Sequence, residues 1–523
     1  MTGAMLRRLI ASLLASFVLA LAAAPALADP ADIAAASRGV VRVVIVQTEG
    51  RNSTMIGHGS GFAVTPEYVV TNAHVVESLR QDDTLIAGVV PPEGRGGYEA
   101  KVVAYSPRND LALLKIQGGG HLTPLSLYAG QVTDGADVSA VGYPGNVDLA
   151  QGLSLSDLVS PQAAVKTRGY VSAGRSSKEF DTILHTAPIG AGNSGGPLLD
   201  ACGRVVGVNS FGTVSDNGTD SAFYFAISMR ELARFLQQNG VQAHASDLPC
   251  TSIADLDRAE SERAAGDQAR QAAEAQARQN ARARALELGR RQAEIDVLTQ
   301  RDNGMAIAVL LLVATLGAGG AAFIYAQRAN ARATRLAGGG ALVLLLGTVA
   351  AWALRPSLQS IDSRAEDIVA ASATPVASGS TAAANGPAST GKFICVLDPQ
   401  RSRVTVSDIT DVPITWSQDG CMNQRSQYGL AADGWSRVLV PNGEDAIAVT
   451  HFDPESHAYT VERFLMGLDA MDQARAARQK IVAPACGAGD AEARRFGQEQ
   501  QAIRALLPGE PNERMRYNCQ PVP

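Results

Sequence analysis

Gly192-Asn193-Ser194-Gly195-Gly196-Pro197-Leu198 is the stretch on which the reading of this chain turns. A serine hydroxyl is a poor nucleophile until a neighbouring imidazole takes its proton. That imidazole must in turn be held in one tautomer by a carboxylate. Both partners can be found upstream. Thr71-Asn72-Ala73-His74-Val75-Val76 follows an apolar run directly, and Asn109-Asp110-Leu111-Ala112-Leu113-Leu114 opens another. The order is His, Asp, Ser, with gaps of 36 and 84 residues. The residues expected to carry catalysis are therefore His74, Asp110 and Ser194. Glycines beside the serine let backbone N–H groups point at a developing oxyanion. Gly192 and Ser194 are expected to supply those donors, with Asn193 between them as the turn residue of the oxyanion hole. Gly192 to Gly196 also fits the G-x-S-x-G elbow of α/β-hydrolases, but that elbow needs a helix after the serine and an Asp then a His downstream. Here a β-type run follows, through Val205, Val206 and Val208.

Around these three segments, residues 39–240 read as β-rich. Short β-branched runs recur at 40–47, 61–64, 68–71, 101–105, 111–116 and 204–209, separated by turns rich in Gly, Pro and Asn. Many short strands at this spacing predict barrels or sandwiches. One helix is marked near the end by the capping box Ser228-Met229-Arg230-Glu231, the stripe Leu232, Phe235, Leu236, and Gly240 beyond the last turn.

These motifs resemble the trypsin-like serine proteases, and most of all their HtrA/Deg-type branch. Gly59-Ser60-Gly61-Phe62 is similar to that branch's G-S-G-F strand. The segments around His74 and Ser194 are near-verbatim family motifs, and 205–209 followed by 223–227 is similar to its closing strands. The resemblance covers about 200 residues. It implies a double six-stranded β-barrel with the site in the cleft between barrels, His74 as general base, Asp110 as its orienter and Ser194 as nucleophile. It also implies that Thr186, Ala187, Pro188 and Ile189 line the substrate (S1) pocket. None of these four is charged, and Thr186 stands where the family often has an acid. Two departures matter. No PDZ domain follows the protease region, so PDZ-driven capture of substrates is not implied. There is no Ile-Val-Gly-Gly start to serve a zymogen switch.

The rest of the chain is read from composition and hydropathy. Residues 1–28 are expected to be a signal peptide: Arg7 and Arg8, an apolar core from Leu9 to Ala24, then Ala26-Leu27-Ala28. The protease domain is expected over 29–250. Residues 251–304 lack proline and aromatics and are rich in Ala, Arg, Gln and Glu, which predicts a helical stalk. Its apolar seam is mostly alanine, a thin basis for self-association through the stalk. Residues 305–326 and 336–354 are two uncharged apolar runs, each long enough to span a hydrocarbon core of about 30 Å. The loop between them, 327–335, carries Arg328, Arg332 and Arg335 and no acid, so the positive-inside rule makes it cytoplasmic and both flanks exported. A flexible linker is expected over 355–391, and a small α+β domain over 392–523. In that domain 393–397, 403–407, 436–440 and 446–450 read as strands, and 461–480 as a helix. Of the six cysteines, Cys202 and Cys250 precede the apolar hairpin and Cys395, Cys421, Cys486 and Cys519 follow it. One bridge before and two after are expected, Cys202 pairing with Cys250; the distal four allow three pairings.

A net charge of −6 argues against a nucleic-acid binder. No C-x-x-C pair supports a zinc site, and no metal or cofactor is expected. The leading expectation is a membrane-embedded serine endopeptidase, in the bacterial inner membrane with its domains on the periplasmic side. It would act on protein or peptide substrates through an acyl-enzyme, in envelope protein quality control or regulated proteolysis. The rival from another class is a sensor or scaffold whose protease domain is silent and whose distal domain binds a partner.

Overall fold

The structure is a computed structural model that describes residues 30–49, 52–176, 180–213, 222–328, 330–357, 359–372 and 390–522. The expected signal peptide lies outside them. The chain divides into two compact units, Met1–Glu260 with Asn385–Pro523, and Ser261–Ala384.

The first unit opens with a closed antiparallel barrel. Its strands are β1 (Val40–Glu49), β2 (Asn52–Ala63), β3 (Tyr68–Thr71), β4 (Leu85–Val90), β5 (Tyr98–Ser106) and β6 (Leu111–Ile116), in the ring order β1-β2-β3-β6-β5-β4. β1, β3 and most of β6 read as apolar runs because both their faces are covered. In β6, Ala112 and Leu114 fill the barrel interior with Val41, Val43 and Val69. Leu111 and Leu113 point the other way and join Val40, Phe62 and Val70 against Val141, Leu199 and Val205. Period-2 alternation thus builds the barrel interior on one face and the seam between two barrels on the other.

The second barrel follows: β7 (Leu127–Tyr128), β8 (Asp137–Gly142), β9 (Val165–Ser176), β10 (Asp181–His185), β11 (Pro197–Leu199), β12 (Val205–Gly212), β13 (Tyr224–Ser228) and β14 (Ala245–Ser246). The pairing of β11 with β12 closes the six-membered ring β11-β8-β9-β10-β13-β12, with β7 attached to β12 and β14 to β7. The expected trypsin-like double barrel is therefore present. Helix Met229–Gln238 buries Leu232, Phe235 and Leu236 as its stripe predicts. Ser228 is its N-cap by position, but its side chain makes no capping bond, so the box is incomplete. Cys202 bonds to Cys250, as expected.

The distal part of this unit is a nine-stranded antiparallel sheet whose first and last strands in the chain, Gly391–Leu397 and Glu513–Pro521, pair at its middle, with helices Leu468–Arg478 and Asp490–Glu499. Disulfides join Cys395 to Cys519 and Cys421 to Cys486. Two expectations fail here. Residues 461–465 are not helical; they belong to strand Ala458–Leu465, paired on both sides, and the helix begins only after Gly467. Residues 403–407 are a loop rather than a strand. The backbone N–H groups of Thr405, Val406 and Ser407 converge on one oxygen of the buried Glu513 carboxylate, which takes the place of a strand partner. This domain lies against the protease barrels. Arg403 pairs with Asp32, both buried, Asn512 donates to Asp32 at 3.0 Å, and the Leu468 N–H donates to Glu93 at 2.9 Å.

Ser261–Ala384 is helical where described. Ile253–Gln327 is one continuous helix that neither Gly266 nor Gly289 interrupts. Gly289 has a local reason: a Cβ there would stand 3.0 Å from the Ala365 carbonyl oxygen of helix Ser360–Ser372. That helix occupies part of the expected linker. Ala293 and Val297 continue the same face one and two turns on, both buried. A second apolar helix spans Ala331–Ala353, capped by Asn330, whose side chain accepts from the Ala333 N–H. Arg332 and Arg335 thus lie in a helix, not in the expected loop. Both helices are long and apolar enough to cross a membrane. Leu310, Leu316, Phe323 and Leu346 are all more than half exposed along them, the outward apolar surface that water disfavours.

Candidate active site

His74 begins a short 3-10 helix straight after β3, and Asp110 sits in the turn before β6. Because β3 and β6 are paired, Thr71 opposite Ala112, the two turns meet at one end of the first barrel. His74 Nδ1 lies 2.9 Å from Asp110 Oδ2 and 3.0 Å from Oδ1, and the His74 N–H donates to Oδ1 at 3.1 Å. Ser210 Oγ donates to Oδ2 at 2.6 Å. The Asp110 main-chain carbonyl accepts from Asn72 Nδ2 and from the Ala73 N–H. Asp110 has φ +52°, a left-handed conformation a non-glycine residue holds only when its surroundings fix it. Burial pushes its carboxyl up, but the hydrogen bonds from His74 and Ser210 outweigh that and hold it below the usual carboxylate range.

Ser194 is presented by the turn before β11, at the edge of the second barrel. Its carbonyl accepts from the Ser60 N–H of the first barrel at 2.9 Å, and its Oγ donates to the Ser210 carbonyl at 3.0 Å. Ser210 therefore touches two of the three residues singled out from sequence, its hydroxyl on Asp110 and its carbonyl on Ser194. Gly195 has φ +87°, and a Cβ there would lie 2.3 Å from the Ser60 carbonyl oxygen. Gly192 has φ +98°, and its Cβ would lie 2.4 Å from the Tyr143 carbonyl oxygen. Only glycine fits either place. In this loop the Asn193 N–H is taken by the Gly190 carbonyl at 3.0 Å, and the Gly196 N–H by the Asn193 carbonyl at 3.0 Å. Among the described residues, the N–H groups of Gly192 and Ser194 have no protein acceptor. Asn193 shapes the turn, and its N–H is already taken.

The four residues expected to line the substrate pocket separate. Ala187 is fully buried in the core of the second barrel with Val138, Val171 and Leu198. Thr186 is exposed, but its hydroxyl accepts from the Tyr170 N–H at 2.9 Å and is tied to β9. Pro188 is exposed and Ile189 half-buried, so these two remain to meet a ligand. Phe211, exposed and stacked on Phe225 at 4.8 Å, is an apolar surface the sequence reading did not assign. Ser210 was also missed. Its signal is slight: it is the last buried residue of an apolar strand, next to the buried Asn209.

Residues 59–208 match the profile of a trypsin-like peptidase domain. The chain is similar to the serine protease Rv3671c of Mycobacterium tuberculosis, 31% identical over 233 residues, 44% of this chain and 53% of the relative. It is similar to the chloroplastic protease Do-like 5 of Arabidopsis thaliana, 32% identical over 205 residues, 36% of this chain and 59% of the relative. The periplasmic serine endoprotease DegP of Escherichia coli is 30% identical over 177 residues, 32% of this chain and 33% of the relative. The chain spans about half the length of the first two of these relatives.

Proposed function

From a trypsin-like serine protease domain homologous to the HtrA/DegP proteases as its premise, we propose that this chain is a membrane-anchored serine endopeptidase working outside the cytoplasm. The observation that carries this reading is Ser210, whose hydroxyl holds Asp110, the partner of His74, and whose carbonyl holds Ser194, in a turn where the Gly192 and Ser194 N–H groups have no acceptor among the described residues. In the proposed reaction His74 takes the Ser194 proton as Oγ attacks a peptide carbonyl. Asp110 fixes the imidazole with its proton on Nδ1 and stabilises the imidazolium that forms. The N–H groups of Gly192 and Ser194 receive the oxyanion, and the proton passes from His74 to the leaving amine. Water then releases the acyl group by the reverse path. For Ser194 Oγ to be activated its hydrogen must leave the Ser210 carbonyl and turn to His74 Nε2. Such bonds commonly tighten only when substrate is bound.

Anchoring rests on the two apolar helices, and sidedness on the arginines at 328, 332 and 335 together with the N-terminal signal pattern. The substrates we propose are envelope proteins in quality control or regulated proteolysis. The test is hydrolysis of a denatured protein and of a fluorogenic peptide library by the detergent-solubilised full chain. Activity present in the wild type and absent in Ser194→Ala supports the reading. Equal activity in both contradicts it.

A further inference from the structure

We propose that Ser60 and His58, on β2 of the first barrel, are positioning residues that aim the oxyanion donors of the second barrel. This rests on the serine-protease reading above. A peptide group is planar and trans, so anchoring its carbonyl oxygen aims the N–H of the next residue the opposite way. The three peptide groups of the loop are anchored in this manner one after another. The Ala191 carbonyl accepts from the Gly145 N–H at 2.8 Å, which aims the Gly192 N–H. The Gly192 carbonyl accepts from Ser60 Oγ at 2.6 Å, which turns the Asn193 N–H onto Gly190 and fixes the peptide plane that joins the two donor-bearing peptides. The Asn193 carbonyl accepts from Gly196, which aims the Ser194 N–H. Of these anchors only Ser60 comes from the other barrel.

Ser60 is itself held from both sides. Its Oγ accepts from the Tyr143 N–H at 2.9 Å while donating to Gly192, so one buried hydroxyl joins the two segments whose separation sets the loop. His58 forms the second support. Its Nε2 is 3.2 Å from the Tyr143 carbonyl oxygen, and a Cβ built on Gly192 would lie 2.8 Å from the same nitrogen. The ring therefore fills the space into which Gly192 would otherwise turn. Asp148, 3.5 Å from Nε2, is fixed by Arg42, fully buried on β1, through bonds of 2.7 and 3.0 Å. Arg42 also lies over the Tyr143 ring at 4.7 Å. Burial and the neighbouring Arg42 lower the pKa of His58, which keeps the ring neutral with Nε2–H available to the Tyr143 carbonyl. The members of this set act only through Gly192 and Tyr143.

A positioning role of this kind appears in turnover rather than in binding. Removing one oxyanion donor outright costs about 10²–10³ in kcat, so misaiming one should cost roughly ten- to a hundredfold. The experiment measures kcat and KM for peptide hydrolysis by full-length wild type, Ser60→Ala, His58→Leu, His58→Gln and Ser194→Ala, with far-UV circular dichroism to count folded protein. Ser60→Ala and His58→Leu are expected to lose kcat by that range per folded molecule, with KM within about threefold of wild type, a split that marks an interaction made only in the transition state. His58→Gln, whose amide can still donate to the Tyr143 carbonyl, should recover most of the loss. Wild-type kcat in folded Ser60→Ala and His58→Leu, a loss confined to KM, or no recovery in His58→Gln overturns the positioning role alone. A wild type that, like Ser194→Ala, hydrolyses nothing overturns the serine-protease reading and this role with it.

Discussion

His185 ends β10, one residue before the segment leading to the serine loop, and its side chain is fully buried. Burial pushes its pKa down to about 4 from an ordinary 6.5, and the Ala187 backbone offsets this only in part. The folded pKa is the depressed one. Between pH 6.5 and 4 the unfolded chain therefore binds a proton that the folded chain refuses, and stability falls as the solution is acidified. The contribution is intact above pH 6.5 and exhausted near pH 4. The shift of about 2.5 pH units at 1.36 kcal/mol each makes the loss about 3 kcal/mol. For a domain of some 200 residues that is roughly 10 °C in melting temperature. Replacing the imidazole by a similar-sized apolar group, His185→Leu, removes this one titration and leaves the others in place. Melting of wild type and variant should be followed by circular dichroism at pH 7.5, 6, 5 and 4. The wild type should lose about 10 °C more than His185→Leu over that range, nearly all of it below pH 6.5. Parallel losses in the two proteins would refute the reasoning.

Asp110→Asn should lower kcat by about 10⁴ with the fold retained, because an amide favours the wrong imidazole tautomer; steady-state kinetics on the purified variant check it. Cleavage-site profiling on a proteome-derived peptide library should show Val, Ala or Leu at P1 and rejection of Lys and Arg. Pro188, Ile189 and Phe211 offer apolar surface, and an unpaired buried cation costs several kcal/mol. A clear Arg or Lys preference would point to an acid elsewhere in the pocket. A reporter inserted in 327–335 should read cytoplasmic, and reporters near 290 and 380 exported. An exported 327–335 reporter would overturn the hairpin topology.

What could be read in advance follows from range. β6 was legible because Leu111 to Leu114 and Ile116 are apolar and buried, with Lys115 the one polar residue, and the Ser194 loop because Gly192 and Gly195 must hold positive φ. The distal domain was harder. Val461 to Leu465 runs into helix formers, and only pairing with strands on both sides makes it a strand. Arg403 to Ser407 alternates like a strand, yet Glu513, more than 100 residues away, captures its N–H groups. Ser60 and Gly192 stand 132 residues apart, and Ser210 and Asp110 stand 100 apart. Nothing local in the sequence marks either contact. Ala187 looked like a pocket residue by its place in the chain, but the alternation of β10 carries on through it and turns it into the barrel core.

The central claim is that Ser194 Oγ is a nucleophile activated by His74. Its most direct test is intact-mass and peptide mapping of the full chain after reaction with a fluorophosphonate. The account predicts one adduct per chain, on Ser194, absent in Ser194→Ala and slowed by orders of magnitude in His74→Ala. An unmodified wild-type chain, or a Ser194 adduct that forms as fast without His74, would contradict it.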